Sequence, residues 1–427
     1  MTRRDLLAAL GTVAFAESKP RLWRSEPPTG CPFGPSTQVG GIAFSGVHSN
    51  YGPNGPGQGP GWGDTWYPSW ASDGKMYSPF TDGSCPRGNG EYDHSSSAGG
   101  DKATTGCAVL EGDDPLTLSA RSLGLVKASA LPYQGRYPCG SLVHNGVWYY
   151  GTYTLGPAGR VMHDGMAFNW PWLGPFVGFR TSTDFAKTWT ETPHTPAKSI
   201  FGENGLEGQA VKIGSPHFVD FGRNMQHSPD GKAYLVAHGA IDPDPQPRYG
   251  NASWITGDQV FLLRVEPSLN TINDPAAYEF FAGHDRRNKP IWTGDFAKIQ
   301  PLVDWNNHCG CVTATYVPGL KRYLMFVTDG WPTAGRMSTW ALESPHLTGP
   351  WKLVTFMKDF GQQAYFVHVP SKFIAADGRR AWLCYSANFA PKWNNNTIVP
   401  DPPGSRYGLV LQEIQLPDPK RAKAYSL

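Results

Sequence analysis

The chain has 427 residues, enough for one large domain or two modest ones. Only 17% of the residues are charged, whereas 50 are Gly and 39 are Pro, which disfavours a helical protein and favours short strands joined by irregular loops. The formal net charge of +2 excludes the basic footprint that nucleic acid or an anionic membrane would require.

Residues 1–16 are typical of a bacterial export signal. Arg3 and Arg4 precede an apolar stretch, which ends in the small-x-small cleavage pattern of residues 14–16. The arginine pair and the two leucines behind it resemble a twin-arginine signal, with a general secretory signal as the alternative. We therefore expect a bacterial protein exported to the periplasm or the medium, with no membrane insertion.

Short aromatic or β-branched segments, separated by turn signals, repeat along most of the chain in sets of four. A new set begins about every 70 to 80 residues, near residues 64, 137, 215, 298 and 365. Four antiparallel strands per repeat are typical of a β-propeller blade. The last set has only three strands, and a strand from residues 41–47 would complete it and remove an open edge. The sequence therefore predicts an all-β, five-bladed propeller of four-stranded blades, with a pair of β-sandwiches as the alternative.

This pattern divides the chain into one propeller domain and two short flanking segments. A Pro/Gly-rich lead at residues 17–40 precedes the domain, which spans residues 41–417, and a polar tail follows at residues 418–427. We expect a monomer that requires no cofactor and whose partner is a polysaccharide or oligosaccharide.

The second blade contains STDFAKTW, residues 182–189, which resembles the Asp-box of sialidase-type propellers. Ala186 stands where that pattern usually has Gly. In such a hairpin Asp184 would accept hydrogen bonds from turn amides, and Trp189 would pack inside the blade. The element would support the architecture without supplying chemistry.

The first blade opens with an aspartate-rich hairpin, GWGDTWYPSWASDGKMYSPFTDG, at residues 61–83. Its Ser-Asp-Gly sequence at residues 72–74 suits a three-residue turn that has Gly74 in the left-handed region. Pairing back from that turn places Asp64 opposite Asp82, and directly opposed residues share one face. Adjacent carboxylates repel each other and raise one pKa, which folding does not need and glycoside hydrolysis does.

In a hydrolase, one of these two aspartates would protonate the departing oxygen while the other activates water or attacks the sugar. As an alternative, Asp64 and Asp82 could each cap a turn. A different turn length would also shift the register by one residue and place the acids on opposite faces.

Further residues near the ends of the inner strands are candidates for substrate binding. Flat indole rings can cover the C–H face of a sugar, and aspartates and histidines can bind its hydroxyls. Core packing and turn stabilisation are the alternatives for these residue types. The candidates are Trp62, Trp66, Trp170, Trp172, Trp305, His144, His217, Asp220 and Asp304.

The seven cysteines form an odd set whose disulfide connectivity cannot be deduced from the sequence. The sequence HCGC brings His308, Cys309 and Cys311 together in a metal-like cluster. Zinc prefers four ligands, and no second such cluster exists in the sequence, so buried free thiols are the alternative. Whether the protein holds a structural cation stays open.

Several segments resemble an uncharacterised-domain family of secreted bacterial propellers that includes endo-D-arabinanases. They are the first hairpin, DQVFLLRVEPSLNTINDPAAYEFFAG at residues 258–283, and the YVPGLKRYLMF and ALESPHLTGPW segments that follow. The likeness extends over nearly the whole mature chain. Arabinanase members use two aspartates of the first blade, and the matching positions here are Asp64 and Asp82. The resemblance implies a glycoside hydrolase, but the insertion at residues 84–106 and the NWPWLGP loop depart from the pattern and leave the sugar open.

Two other functions fit the same architecture. A polysaccharide lyase would abstract a proton next to a uronate carboxyl with His and Tyr side chains. Its candidates are His144, His227, His238, Tyr149 and Tyr153. A non-catalytic glycan-binding propeller would use the aromatic residues alone.

Overall fold

The structure is a computed structural model, and it describes most of the chain. The described residues are 19–51, 62–97, 100–131, 133, 135–155, 161–163, 166–168, 173–205, 209–241, 254–330, 335–388 and 400–425. The expected export signal, Trp170 and Trp172 lie outside these ranges. Within them, no helix is long and apolar enough to cross a membrane.

Strands account for nearly all regular structure in the described ranges. Two N-terminal strands come first: β1 (Arg21–Leu22) and β2 (Ala43–Asn50). The first blade contains β3 (Trp62–Asp64), β4 (Ser69–Trp70), β5 (Met76–Pro86), β6 (Tyr92–Ser95), β7 (Thr104–Glu111) and β8 (Ser119–Lys127). The second contains β9 (Gly135–His144), β10 (Val147–Leu155) and β13 (Leu173–Ser182), with a separate hairpin of β11 (Val161–His163) and β12 (Met166–Phe168).

The remaining three blades follow in chain order. The third contains β14 (His217–Phe218), β15 (Ala233–Gly239), β16 (Gln259–Val265), β17 (Glu279–His284), β18 (Pro290–Thr293) and β19 (Val303–Asp304). The fourth contains β20 (Val312–Val317), β21 (Arg322–Asp329), β22 (Ser338–Ser344) and β23 (Lys352–Met357). The fifth contains β24 (Tyr365–His368), β25 (Arg380–Ser386) and β26 (Val410–Gln415). Short 3₁₀ helices lie at Gly100–Lys102, Arg223–Met225, Pro275–Ala277, Phe296–Lys298, Ser371–Phe373 and Ala422–Ala424.

The predicted five-bladed, all-β propeller is confirmed, although its blades are less uniform than expected. The five sheets contain six, three, six, four and five strands in order of blade, so only the fourth has the predicted number. The additional strands, such as β4, β6 and β19, are two to four residues long and pair with one strand of an existing sheet.

The predicted closure of the ring by an N-terminal strand is also confirmed. The sheet of the fifth blade has the order β1-β2-β26-β25-β24, and β2 pairs with β26 in antiparallel register. Because β2 covers β26, the last strand of the chain presents no open edge.

Contacts between the inner strands of the first and fifth blades distinguish the two ends of the central channel. Asp64 precedes β4, and Tyr365 begins β24; the Tyr365 hydroxyl donates to Asp64 Oδ2 at 2.9 Å. Beyond the other ends of the same two strands, Lys372 Nζ donates to the Gly74 carbonyl at 2.8 Å. The two strands therefore run in the same direction. We call the end at Asp64 and Tyr365 the acid end, and the end at Gly74 and Lys372 the hairpin end.

Candidate active site

The hairpin that carries the two aspartates turns where the sequence predicts. Ala71 N donates to Lys75 O at 2.9 Å, Gly74 N donates to Ala71 O at 3.0 Å, and Gly74 has φ +87°. Trp70 pairs with Met76 directly before the turn. The three-residue turn at residues 72–74 is confirmed.

The register of the same hairpin is irregular at the acids. Trp62 pairs with Ser84, as predicted from the turn, but Asp64 pairs with Thr81 and not with Asp82. The predicted direct opposition of the two acids is therefore wrong by one residue. Asp82 has φ +50°, and a left-handed residue inside a strand interrupts the alternation of side chains, as in a β-bulge. Asp82 therefore does not follow the regular alternation of side chains along β5. The negative charge of Asp82 nevertheless raises the pKa of Asp64.

Two glycines permit this irregularity. Gly63 has φ +125°, and a Cβ on Gly83 would lie 2.3 Å from the Trp62 carbonyl oxygen and 2.4 Å from Gly63 Cα. Both neighbours are backbone atoms that a side chain cannot displace cheaply. Glycine at position 83 thus allows the two backbones to approach closely beside the acids.

Asp64 is a half-buried carboxyl with one bound and one free oxygen. Its Oδ2 accepts the Tyr365 hydroxyl, whereas Oδ1 is buried and has no hydrogen-bond partner among the described residues. Burial raises the pKa of Asp64 well above its usual range, the negative charge of Asp82 raises it further, and the hydroxyls of Tyr365 and Tyr407 oppose both effects. Of the two carboxyls, Asp64 is therefore the one whose surroundings favour the protonated form more strongly.

Asp82 lies in a different environment, because backbone donors stabilise its charged form. Its Oδ1 accepts a hydrogen bond from Ser97 N at 2.9 Å. Burial raises the pKa of Asp82 to about 6, and the Ser97 hydrogen bond limits the rise. With a pKa of about 6, Asp82 is the carboxyl of the pair that ionises more readily.

Buried tyrosines surround the two acids. The Tyr407 hydroxyl donates to the Asp82 carbonyl oxygen at 2.8 Å. Burial raises the pKa of Tyr137, Tyr365 and Tyr407 well above the usual range, and the charges of the aspartates raise it further. These phenols stay neutral and can act as hydrogen-bond donors around the acid pair. The sequence does not single out these three residues, since each lies in or next to a segment that also suits an ordinary buried strand.

The predicted tryptophans occupy different environments. Trp62 is half-buried next to the acid pair, and its ring lies edge-on to Tyr407 at 5.5 Å between centroids. Trp66 is 1% exposed and stacks on Phe80, so it belongs to the core and offers no surface to a sugar. Trp305 is half-buried; it stacks on His308 at 4.2 Å and lies 4.4 Å from Trp340. Trp62 and Trp66 both lie close to Asp64 in the chain, but only Trp62 of these two is half-buried.

Asp220 lies beyond the acid pair, toward the hairpin end. Its Oδ1 accepts from Gly222 N at 2.9 Å, and its Oδ2 accepts from Ser371 N at 2.7 Å, just past β24. Burial raises its pKa, and these hydrogen bonds oppose the rise. The carboxylate joins the loops of two blades, which matches the loop-capping alternative.

His217 begins β14 and lies in the interior of the propeller. Its ring is 2% exposed and lies 4.1 Å from the ring of Tyr67, and both line a small cavity of about 50 Å³ together with His368. Burial lowers the pKa of His217 well below its usual range, and the neighbouring His238 and His368 lower it further. The histidine is neutral and enclosed.

The other predicted polar residues lie apart from the acid pair. His144 ends β9, and the following Asn145 N donates to Asn224 Oδ1 at 2.8 Å near the hairpin end. Asp304 is exposed on β19, where it pairs with Gln259.

Among the residues proposed for a lyase, Tyr153 is fully buried on β10. The charge of Asp64 contributes to the raised pKa of Tyr153, after burial and the nearby Cys311. Tyr149 lies nearer the start of β10, where it pairs with Leu142, and burial raises its pKa to about 12. His227 is a half-buried loop residue that contacts Gln226.

The side chains of His308, Cys309 and Cys311 in the HCGC segment form hydrogen bonds within the protein. His308 Nδ1 is 2.7 Å from Asp329 Oδ2, and the Cys311 thiol donates to the Trp254 carbonyl at 2.7 Å. The Cys309 thiol donates to the Trp305 carbonyl at 3.6 Å. All seven cysteines are free thiols, and no group of three His, Cys, Asp or Glu side chains in the described part of the chain could hold a metal ion.

The sequence matches no family model and no curated protein. Among solved structures it is similar to an α-L-arabinofuranosidase from Podospora anserina in complex with cellotriose, at 11% identity and a TM-score of 0.42, over 87% of this chain and 96% of that one. It is also similar to a family 117 glycoside hydrolase from the marine bacterium Zobellia galactanivorans, at 12% identity and a TM-score of 0.44, over 87% and 90% of the two chains. Similarity at this level is too weak to carry a conclusion about activity.

Proposed function

We propose that the protein is an exported glycoside hydrolase that cleaves an arabinan-like polysaccharide with Asp64 and Asp82 as its catalytic pair. The observation that carries this proposal is the contrast between the two carboxyls: the pKa of Asp64 is raised well above the usual range, whereas Asp82 has a pKa of about 6. Neighbouring carboxyls that differ in protonation are what acid–base cleavage of a glycosidic bond requires.

Asp64 is the general acid in this mechanism. Because Oδ2 accepts the Tyr365 hydroxyl, Oδ1 is the oxygen left to carry the proton, and it has no partner among the described residues. That proton passes to the glycosidic oxygen as the bond to the leaving sugar breaks. The Tyr365 hydrogen bond then stabilises the carboxylate that remains.

Asp82 is the base or nucleophile. It is ionised above pH 6, and the Ser97 amide holds its Oδ1 in place. As a base it takes a proton from the attacking water, and as a nucleophile it forms a bond to the sugar that water later breaks. In either role, the carboxylate stabilises the positive charge that develops on the sugar ring in the transition state.

The remaining groups around the pair suit a sugar ligand. Trp62 is half-buried beside Tyr407 and can cover a C–H face of a sugar ring. The resemblance of the first hairpin to that of arabinan-cleaving propellers supports a furanose polymer as the substrate.

A substrate screen tests this function. The wild-type protein and an Asp64→Asn/Asp82→Asn double variant are incubated with arabinans, xylans and uronate polymers, and reducing ends and ultraviolet absorbance are recorded. We expect the wild type to release reducing ends from an arabinan without new absorbance, and the double variant to release none. Ultraviolet absorbance from an unsaturated uronate would indicate a lyase, and binding without cleavage would indicate a glycan-binding propeller.

A further inference from the structure

A large groove lies on the outer part of the first two blades, and none of its lining residues belongs to the acid site. Its volume is about 750 Å³. Strands β5, β7 and β8 form most of its wall, and the turn that follows β13 completes it with Phe185 and Lys187. We propose that this groove is a second carbohydrate site, which binds an anionic glycan.

The lining of the groove is rich in positive charge. Four cationic side chains face one carboxylate: Lys75, Arg87, Arg121 and Lys187 against Asp93. Asp93 is 2% exposed, and it accepts hydrogen bonds from Arg87 Nε at 2.8 Å and from Ser122 Oγ at 2.6 Å. Asp93, the single acid in the lining, is therefore already hydrogen-bonded to Arg87 and Ser122.

Two of the four cations are free to bind a ligand. Lys75 pairs with Glu111 at 2.6 Å, and Arg87 pairs with Asp93. Arg121 and Lys187, in contrast, form no ion pair with any residue that the structure describes. Arg121 is half-buried and Lys187 is exposed, and they stand on different blades. A guanidinium and an ammonium without partners favour carboxylate or phosphate groups on a ligand.

Part of the groove lining is apolar, which distinguishes it from a simple basic surface. The half-buried Phe185 stacks on Tyr77 with ring centroids 4.9 Å apart, so one of its faces is occupied. Leu125 is 39% exposed, and Leu123 is half-buried. Apolar side chains between cations complement a sugar that presents C–H faces and acidic groups together. The groove therefore suits a polysaccharide that carries uronates or phosphodiesters.

Binding to defined polymers tests the proposal. Affinity is measured for polygalacturonate, a teichoic acid and a neutral arabinan with an Asp64→Asn/Asp82→Asn protein, so that cleavage cannot interfere. We expect the protein to bind at least one of the two anionic polymers, and Arg121→Ala/Lys187→Ala to weaken that binding about tenfold or more. The preferred anionic polymer identifies carboxylate or phosphate as the recognised group.

Arg286→Ala/Lys289→Ala is the matched control, since it removes two exposed cations from a turn outside the groove. The proposal is overturned if both double variants lose affinity equally, or if neither anionic polymer binds. It is also overturned if double-stranded DNA binds as tightly as the glycan and depends on Arg121 to the same degree. In an otherwise wild-type chain, Arg121→Ala/Lys187→Ala should leave hydrolysis of a neutral substrate unchanged, so failure of the groove and failure of the acid pair are distinguishable.

Discussion

At the scale of single residues, two carboxyls in different surroundings define the proposed active site. Counting residue pairs back from the hairpin turn selects Asp64 and Asp82 from the sequence alone. This count is valid only if the pairing between the two strands is regular. In the structure a left-handed Asp82 interrupts the ladder. The tyrosines around the pair could not be selected from sequence, because Tyr137 comes from the second blade and Tyr365 and Tyr407 from the fifth, far apart along the chain from the first-blade acids.

The split protonation predicts a bell-shaped pH dependence of kcat/KM. Activity should fall as the pH drops below about 6, because Asp82 becomes protonated, and it should fall again at high pH as Asp64 loses its proton. Tyr365→Phe removes a hydrogen bond that favours ionised Asp64, so the pKa of Asp64 should rise and the alkaline limb should move to higher pH. An alkaline limb that moves to lower pH in this variant would contradict the assignment.

At the scale of elements, the first hairpin shows where prediction from sequence succeeds and where it ends. The turn follows from local chemistry, since Gly74 supplies a left-handed residue at low cost. The register shift at Asp64 depends on the close backbone contact between Gly63 and Gly83. Counting pairs back from the turn cannot predict such a contact. Short strands such as β6 were missed for a related reason: they are stabilised by a neighbouring strand more than by their own pattern.

Gly83→Ala tests that backbone contact. The new Cβ would clash with the backbone of Trp62 and Gly63, so we expect a loss of about 1–3 kcal/mol in stability together with a strong loss of activity. Chemical denaturation and hydrolysis assays measure the two effects. Gly294→Ala is the control, because the nearest atom to its new Cβ is 4.0 Å away and its φ is not positive. Equal behaviour of the two variants would show that the close approach has no role.

The channel histidines predict acid sensitivity of the fold. Burial lowers the pKa of His368 to about 4 and that of His217 well below the usual value. Both are neutral in the folded state and gain protons on unfolding below about pH 6.5, so each should reduce stability by about 1.4 kcal/mol per pH unit as the pH falls toward 4. His368→Leu should flatten this part of the stability curve, measured by urea unfolding between pH 7 and pH 4. An unchanged slope would mean that His368 is already charged in the fold.

At the scale of the whole molecule, ring closure is the feature that the repeat spacing predicts best. The incomplete last set of strands required a partner, and β2 supplies it by pairing with β26. The number of strands in each blade was less accessible from sequence, because irregular insertions add or remove short edge strands without changing the spacing of the inner ones.

Removal of β2 should therefore open the ring. A chain that begins at Tyr51 leaves β26 with an unpaired edge, and we expect aggregation or a Tm lower by about 10 °C or more. A synthetic peptide of residues 36–50, added in trans, should restore part of the lost Tm by strand addition, whereas a scrambled peptide should not. A truncated chain with the full-length Tm would show that closure contributes little to stability.

The most direct test of the central claim compares single aspartate variants on an arabinan. Asp64→Asn and Asp82→Asn should each lower kcat for release of reducing ends by about 10²-fold to 10⁴-fold. Asp304→Asn is the matched control: its carboxylate is exposed and lies on β19, so the variant should retain wild-type activity. Full hydrolytic activity in either Asp64→Asn or Asp82→Asn would contradict the assignment of the catalytic pair.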